Sequence, residues 1–212
     1  MSVVDIWINF AVEGEIDEAV ARKLIQHIGA LPGTGFISGG KQNLRKRVAG
    51  YNQAAMRQPW LVLVDLDHCS CAPTLVQKWV PQPSPYLCLR VAVREVEAWL
   101  LADSHNLAQF LGVPPNCIPH SPEQIGDPKN EMVNLASRSR KRAIRKDMVP
   151  TPNTGQQVGA AYSARLIEFV ERHWDIQQAA SRSPSLQRAI DCLTRLTQQY
   201  RSFLSTVPAT AP

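Results

Sequence analysis

No stretch of this sequence is apolar for long enough to cross a bilayer; its longest hydrophobic runs are the length of a strand and are broken by charges. A membrane-spanning helix is therefore excluded, and a membrane is not expected among the partners. Met1 to Gly14 carries Asp5 and lacks the basic start of a signal peptide, so the expected location is cytoplasmic. Cysteine is sparse and odd in number, five in 212 residues, which fits reduced thiols better than a disulfide framework. His68, Cys69 and Cys71 make a short soft-ligand cluster, but no second pair stands at finger-like spacing to complete a zinc site. Cys88, Cys117 and Cys192 are isolated and read as small buried hydrophobes. There is no internal repeat, and hydrophobic and charged fractions of 44% and 19% leave no room for a disordered or fibrous chain.

What is present is enough chain, at 23.6 kDa, for one domain with a helical extension. The net charge is +5, and it is uneven: residues 1–106 hold ten basic and ten acidic side chains, residues 107–212 thirteen and eight. Much of the excess lies in Arg138, Arg140, Lys141, Arg142, Arg145 and Lys146, a run that fits an anionic partner such as nucleic acid or, on the plainer reading, a solvated face.

Residues 3–12, VVDIWINFAV, read as a strand running into Glu13-Gly14, and Ile16, Val20, Leu24 and Ile28 then recur at helical spacing. Phe36 and Ile37 form a short second strand ending in Gly39-Gly40-Lys41, followed by a helix face of Leu44, Val48, Tyr51 and Ala55. WLVLVDLD at 60–67 is nearly all apolar, as in a parallel strand covered on both faces. A third helix over 72–80, a fourth strand over 86–93 and a helical REVEAWLLAD complete an alternating pattern. That alternation predicts an α/β fold with a mostly parallel sheet flanked by helices. Residues 1–106 form this core. Residues 107–206 are a basic, helical C-terminal extension packed on it, broken first by Pro114, Pro115, Pro119, Pro122 and Pro128, and residues 207–212 are a flexible tail. Two amphipathic helices close the extension, one with Tyr162, Leu166, Phe169, Val170 and Trp174 on its core face, the other capped by Ser185.

The acids fall where such a sheet binds ligands, beyond the carboxyl ends of its strands. Glu13 follows the first strand, Asp65 and Asp67 end the third, and Glu95, Glu97 and Asp103 follow the fourth. Carboxylates gathered in one place repel each other unless a cation neutralises them, and oxygen-only ligands favour Mg²⁺ or Mn²⁺. Asp65 and Asp67 can reach one ion if the chain turns after Leu66, and Glu97 is expected to border the same pocket as a further ligand. Glu15, Asp17 and Glu18 read as first-turn acids that complement a helix dipole.

An apolar strand ending in Glu-Gly, followed by a strand ending in Asp-x-Asp within about a hundred residues, resembles the Toprim catalytic domain. VEGEIDE (12–18), SGGKQNL (38–44), VLVDLDHC (62–69), VREVEAWLLAD (93–103) and DPKN (127–130) together resemble Toprim-like bacterial proteins related to the OLD family nucleases, a branch linked to phage defence. The resemblance implies a general acid or base at Glu13 and Mg²⁺ held by Asp65 and Asp67. It departs from the family pattern at His68-Cys69, where a small residue is more familiar, and in having no fused ATPase. The implied partners are nucleic acid and, among proteins, a second copy of the chain or a separate ATPase.

A rival reading, a P-loop-like NTPase, uses some of the same residues. GFISGGKQ at 35–42 approaches a Walker A loop, although Gln42 stands where a Ser or Thr hydroxyl would bind Mg²⁺. Lys41 is expected instead to face phosphate at the end of the second strand, Lys129 to approach the acids from the DPKN turn, and Arg140, Lys141 and Arg142 to neutralise phosphates nearby. The expected function is Mg²⁺-dependent phosphodiester hydrolysis; the alternative is a catalytically weak module that binds nucleic acid or a protein.

Overall fold

The computed structural model describes residues 5–206 except 68 and 70. Four strands, β1 (Trp7–Val12), β2 (Leu31–Ile37), β3 (Trp60–Asp65) and β4 (Leu87–Ala92), form one sheet in the order β2-β1-β3-β4. Every pairing is parallel. The expected α/β sheet is therefore present, entirely parallel among the described residues. Between the strands run α1 (Glu15–His27), α2 (Lys41–Ala54) and α3 (Ala72–Trp79).

Right-handed crossovers fix which face each helix covers. The step from β1 to β2 runs one way along the sheet; the steps from β2 to β3 and β3 to β4 run the other way. So α1 lies on one face, and α2 and α3 on the opposite face. Strand periodicity sorts the core accordingly. Ile8, Phe10, Val12, Leu61 and Leu63 pack with α1, whereas Ala11, Val62 and Val64 pack with Leu44 and Val48 of α2 and Leu75 of α3.

The second strand is longer than the expected Phe36-Ile37 pair. It begins at Leu31 and runs through Pro32, Gly33 and Gly35, residues that argue against a strand on propensity alone. An edge position tolerates them, since one side of β2 needs no ladder bonds. Gly35 is required by packing: a Cβ there would collide with the ring of Phe10.

After β4 the chain covers the α1 face with α4 (Val96–Ala102), α5 (Ser104–Leu111), α6 (Pro128–Ser137), α7 (Arg142–Met148), α8 (Tyr162–Arg172) and α9 (Ile176–Ala180), while α10 (Pro184–Thr206) packs on β4. These elements share one continuous apolar cluster with β1 and α1. Every residue of α4 is buried, as expected of a helix that is apolar nearly all round. Ser185 does not cap α10 as expected: it lies within the helix, and Ser183 precedes it. Ser183 Oγ accepts from Leu186 N–H, and Glu123 Oε1 accepts from Ser185 N–H at 2.7 Å. Ser185 Oγ instead accepts from the buried indole of Trp99 at 2.7 Å. No helix among the described residues is long and apolar enough to cross a membrane.

Candidate active site

The strand order reverses between β1 and β3, and their carboxyl ends open a crevice there. Glu13 directly follows β1 and Asp65 ends β3. The Asp65 backbone N–H donates to Glu13 Oε1 at 3.0 Å, so the two strand ends are tied through a side chain. Asp65 keeps the parity of Leu61 and Leu63 and faces the α1 side. Its Oδ1 accepts from Val96 N–H at 3.0 Å, at the start of α4.

Glu97 sits in the first turn of the buried helix α4 and is 2% exposed. Its Oε1 accepts from the Tyr162 hydroxyl at 3.3 Å, which brings in α8. Lys129 Nζ stands 3.8 Å from both Glu95 Oε1 and Glu97 Oε1. Local chemistry places it there. Asp127 caps α6 by accepting from Asn130 N–H at 2.8 Å, Pro128 takes the first turn, and Glu95 Oε2 accepts from Lys129 N–H at 3.1 Å. The DPKN turn is thus a helix cap that aims a lysine at the acids.

Asp17 was expected to do no more than complement the α1 dipole. Its Oδ2 does serve the helix start, accepting from Gly14 N–H at 2.9 Å, but the side chain is buried and Oδ1 has no hydrogen-bond partner. Glu13, Asp17, Asp65 and Glu97 come together, and Asp17, Asp65, Glu97, Lys129 and Tyr162 line one cavity of about 500 Å³. The charge state reflects the crowding. Burial, then Glu97 and Glu13, push Asp17 up to about 7. Asp65 is raised well above its usual range by burial and then by Asp17, Glu97, Glu13 and Glu95. Burial raises Glu97, partly opposed by Lys129. Burial also raises Glu13, with the Asp65 N–H bond opposing and Asp67 adding to the rise. Burial alone would lower the Lys129 ammonium, but Glu97, Glu95, Asp65 and Asp17 together raise it.

Asp67 departs from the expected shared ligand set. The backbone there turns left-handed, with φ of 50°, a conformation Asp tolerates better than most side chains. Its carboxylate meets Lys41 Nζ at 2.8 Å, and the same ammonium donates to the carbonyls of Asp65 and Leu66 at 2.5 and 3.2 Å. Asp67 lines a neighbouring cavity of about 380 Å³ with Arg94, Glu95, Asp127 and Lys129. Among the described residues, no three His, Cys, Asp or Glu side chains already stand in a metal-holding arrangement.

The other expected residues are elsewhere. Arg138 ends α6, nine residues beyond Lys129 and so about 14 Å along the helix from it. None of Arg140, Lys141 and Arg142 lines either cavity around the acids. Lys141 Nζ donates to the carbonyls of Gln109 and Phe110, at the end of α5. The Walker A resemblance has no loop to rest on, since Gly35 lies inside β2 and only Ser38-Gly39-Gly40 separates β2 from α2. His68 lies outside the described residues; Cys69 is exposed and Cys71 precedes α3. The signals missed in the sequence are Asp17, three residues from Gly14 in EGEID, and the hydroxyl of Tyr162, which periodicity assigns to the core. The chain matches no family model, no curated protein and no solved structure.

Proposed function

We propose that this chain hydrolyses phosphodiester bonds in nucleic acid with Mg²⁺ or Mn²⁺, as a Toprim-like protein related to the OLD nucleases. One observation carries the reading: Asp17, Asp65 and Glu97 line one desolvated cavity in which Asp17 Oδ1 has no partner, and Glu13 is tied to them through the Asp65 N–H. The donor set suits a hard divalent cation, being all oxygen and held above its ordinary pKa values by burial and mutual repulsion that a cation would relieve. Asp17 and Asp65 would hold it, with Glu97 and Glu13 at the border. A bound divalent ion polarises a phosphodiester and offsets the charge developing on it.

The remaining work falls to the protein's own groups. Glu13, whose burial raises its pKa above the ordinary carboxylate value, is suited to carrying a proton. Lys129 presents a cation to the cavity that borders the acids, where a phosphate oxygen can pair with it. Lys41 neutralises Asp67 and fixes the turn after β3. Tyr162 and Val96 N–H hold Glu97 and Asp65 in place.

The test is incubation of the purified protein with single-stranded DNA, duplex DNA and RNA, in Mg²⁺, Mn²⁺ or chelator, beside Asp65→Asn. Cleavage that needs metal and is lost in the variant supports the reading; cleavage that ignores both points to a contaminant. A second reading, a catalytically weak module that binds nucleic acid, is favoured by the lysines already neutralising Asp67, Glu95 and Glu97. Binding without metal-dependent turnover of any substrate selects it.

A further inference from the structure

The charge is more sharply uneven within residues 41–93. Between Lys41 and Val93 there are seven Lys and Arg residues, and the only acids are Asp65 and Asp67 at the end of β3. That segment supplies both helices of one sheet face, α2 and α3; neither contains an Asp or Glu, so Arg45, Lys46, Arg47 and Lys78 stand there without a carboxylate from their own helices. Between the helices lies a groove of about 290 Å³ whose walls include Lys41, Arg45, Thr74, Lys78 and Trp79. Arg45 and Lys78 are exposed and Trp79 is partly so. Lys41 and Arg45 are one helical turn apart, about 6 Å. The groove is linked to the acid site through Lys41 on its wall, which meets Asp67 at 2.8 Å and donates to the carbonyl of Asp65. Asp67 in turn lines the cavity that holds Arg94 and Lys129.

We propose that the groove between α2 and α3 binds single-stranded nucleic acid and leads it to the carboxylates, with Arg45 and Lys78 on phosphates and Trp79 stacked on a base; this rests on the phosphodiesterase reading above. The chemistry selects the ligand class. A cationic track takes any polyanion, but an aromatic face at its side adds affinity only for a base whose own face is free, and a duplex hides its base faces in the stack. Lys41 lies where the track meets the site, so a strand held by Arg45 and Lys78 is passed toward Lys129.

The experiment is fluorescence anisotropy of labelled oligothymidylate, oligouridylate and a blunt duplex across a salt series, in chelator so that nothing is cleaved. Single strands of either sugar should bind more tightly than the duplex. Replacing Arg45 and Lys78 together with Ala should lower the log-log salt slope by roughly 1.4, two contacts at about 0.7 each for a single strand. Arg188→Ala with Arg201→Ala, a pair of equal charge on α10, should leave the slope as it is. Trp79→Ala should weaken binding by roughly five- to 150-fold, the range of one base stack, and Trp79→Phe should recover part of it. Because Trp79 also packs on the α2–α3 core, the charge variants decide the matter if Trp79→Ala unfolds. A wild-type slope in the Arg45/Lys78 variant, an equal fall in the α10 control, or tighter binding of the duplex overturns the proposal. Binding with the expected signature but no hydrolysis by the wild type sinks the hydrolytic reading and leaves the groove intact. Hydrolysis of single strands by the Arg45/Lys78 variant at wild-type kcat and KM removes the groove and leaves the hydrolytic reading.

Discussion

Glu13 Oε1 accepts the backbone N–H of Asp65 at 3.0 Å, so the acid after β1 also closes the end of β3. Glutamine keeps that oxygen and loses the charge. Glu13→Gln should therefore fold normally and bind metal, with its rate lowered on the order of 10² to 10⁴ if Glu13 is the proton carrier. Glu13→Ala leaves the Asp65 N–H without its partner and should in addition lose about 1–3 kcal/mol of stability, read by denaturant unfolding. Equal stability of the two variants would show that the tie contributes nothing.

Asp65→Asn should separate fold from chemistry in the same way, because an amide oxygen still accepts from Val96 N–H. Metal affinity by calorimetry and nuclease activity should both fall while the unfolding midpoint is kept. Asp67→Asn should be nearly neutral for stability, since its pair with Lys41 involves a 39% exposed carboxylate and such pairs contribute about 0–1 kcal/mol.

Asp17 sets a pH dependence. Its folded pKa, about 7, lies above the unfolded value of about 3.9, so the folded state holds the extra proton between the two. Stability contributed by that proton is present below the unfolded value and is lost as pH rises toward 7. In chelator, the wild type should therefore lose stability relative to Asp17→Asn as pH rises from about 4 to 7. On the proposed reading Mg²⁺ would have to displace the proton, so its stabilisation of the wild type should grow over the same window and release protons on binding. Parallel pH profiles for the two proteins would remove Asp17 from the site.

Lys141→Ala should act through the fold. The ammonium meets the last carbonyls of α5, and a C-terminal cation of this kind contributes about 0.3–1 kcal/mol. The expected result is a slightly lower melting temperature with the salt slope of oligonucleotide binding unchanged. A flattened slope would return the 138–146 run to the binding surface.

Ser185→Ala should be the costliest of the polar changes outside the site. It leaves the Trp99 indole, fully buried in α4, without an acceptor at an expected cost of about 1–3 kcal/mol. For a domain of this size that is roughly 2–4 °C in melting temperature per kcal/mol, measured by calorimetry.

The strands and the ends at which acids fall were legible because both are local. A run such as WLVLVD buries on two faces, and the charge that ends it marks where the strand leaves the core. Glu13 and Asp65 could thus be placed at the ends of the first and third strands, while the order that makes β1 and β3 neighbours belongs to the sheet. Periodicity also gave α1, α2 and the core faces of α8 and α10. It shortened β2, whose Pro and Gly are acceptable only because the strand is at an edge, and it left α9 unseen at five residues.

What separates Asp17 from Glu15 and Glu18 is not in their spacing. All three stand in the first turn of α1, but only Asp17 is covered by α4 and α8, elements some eighty to 145 residues further on. Burial by distant segments, not residue type, decides which carboxylate is desolvated, raised in pKa and left without a partner. The same holds for Asp67, which parity would aim beside Asp65 and which a left-handed turn hands to Lys41. The cationic side of the molecule follows this rule too. The dense run at 138–146 is the more conspicuous in the sequence, yet the sparse cations of α2 and α3 share a face that adjoins the acids. Sequence fixes an element and the stripe it buries; the meeting of stripes, which sets local dielectric and the neighbours of each charge, belongs to the tertiary structure.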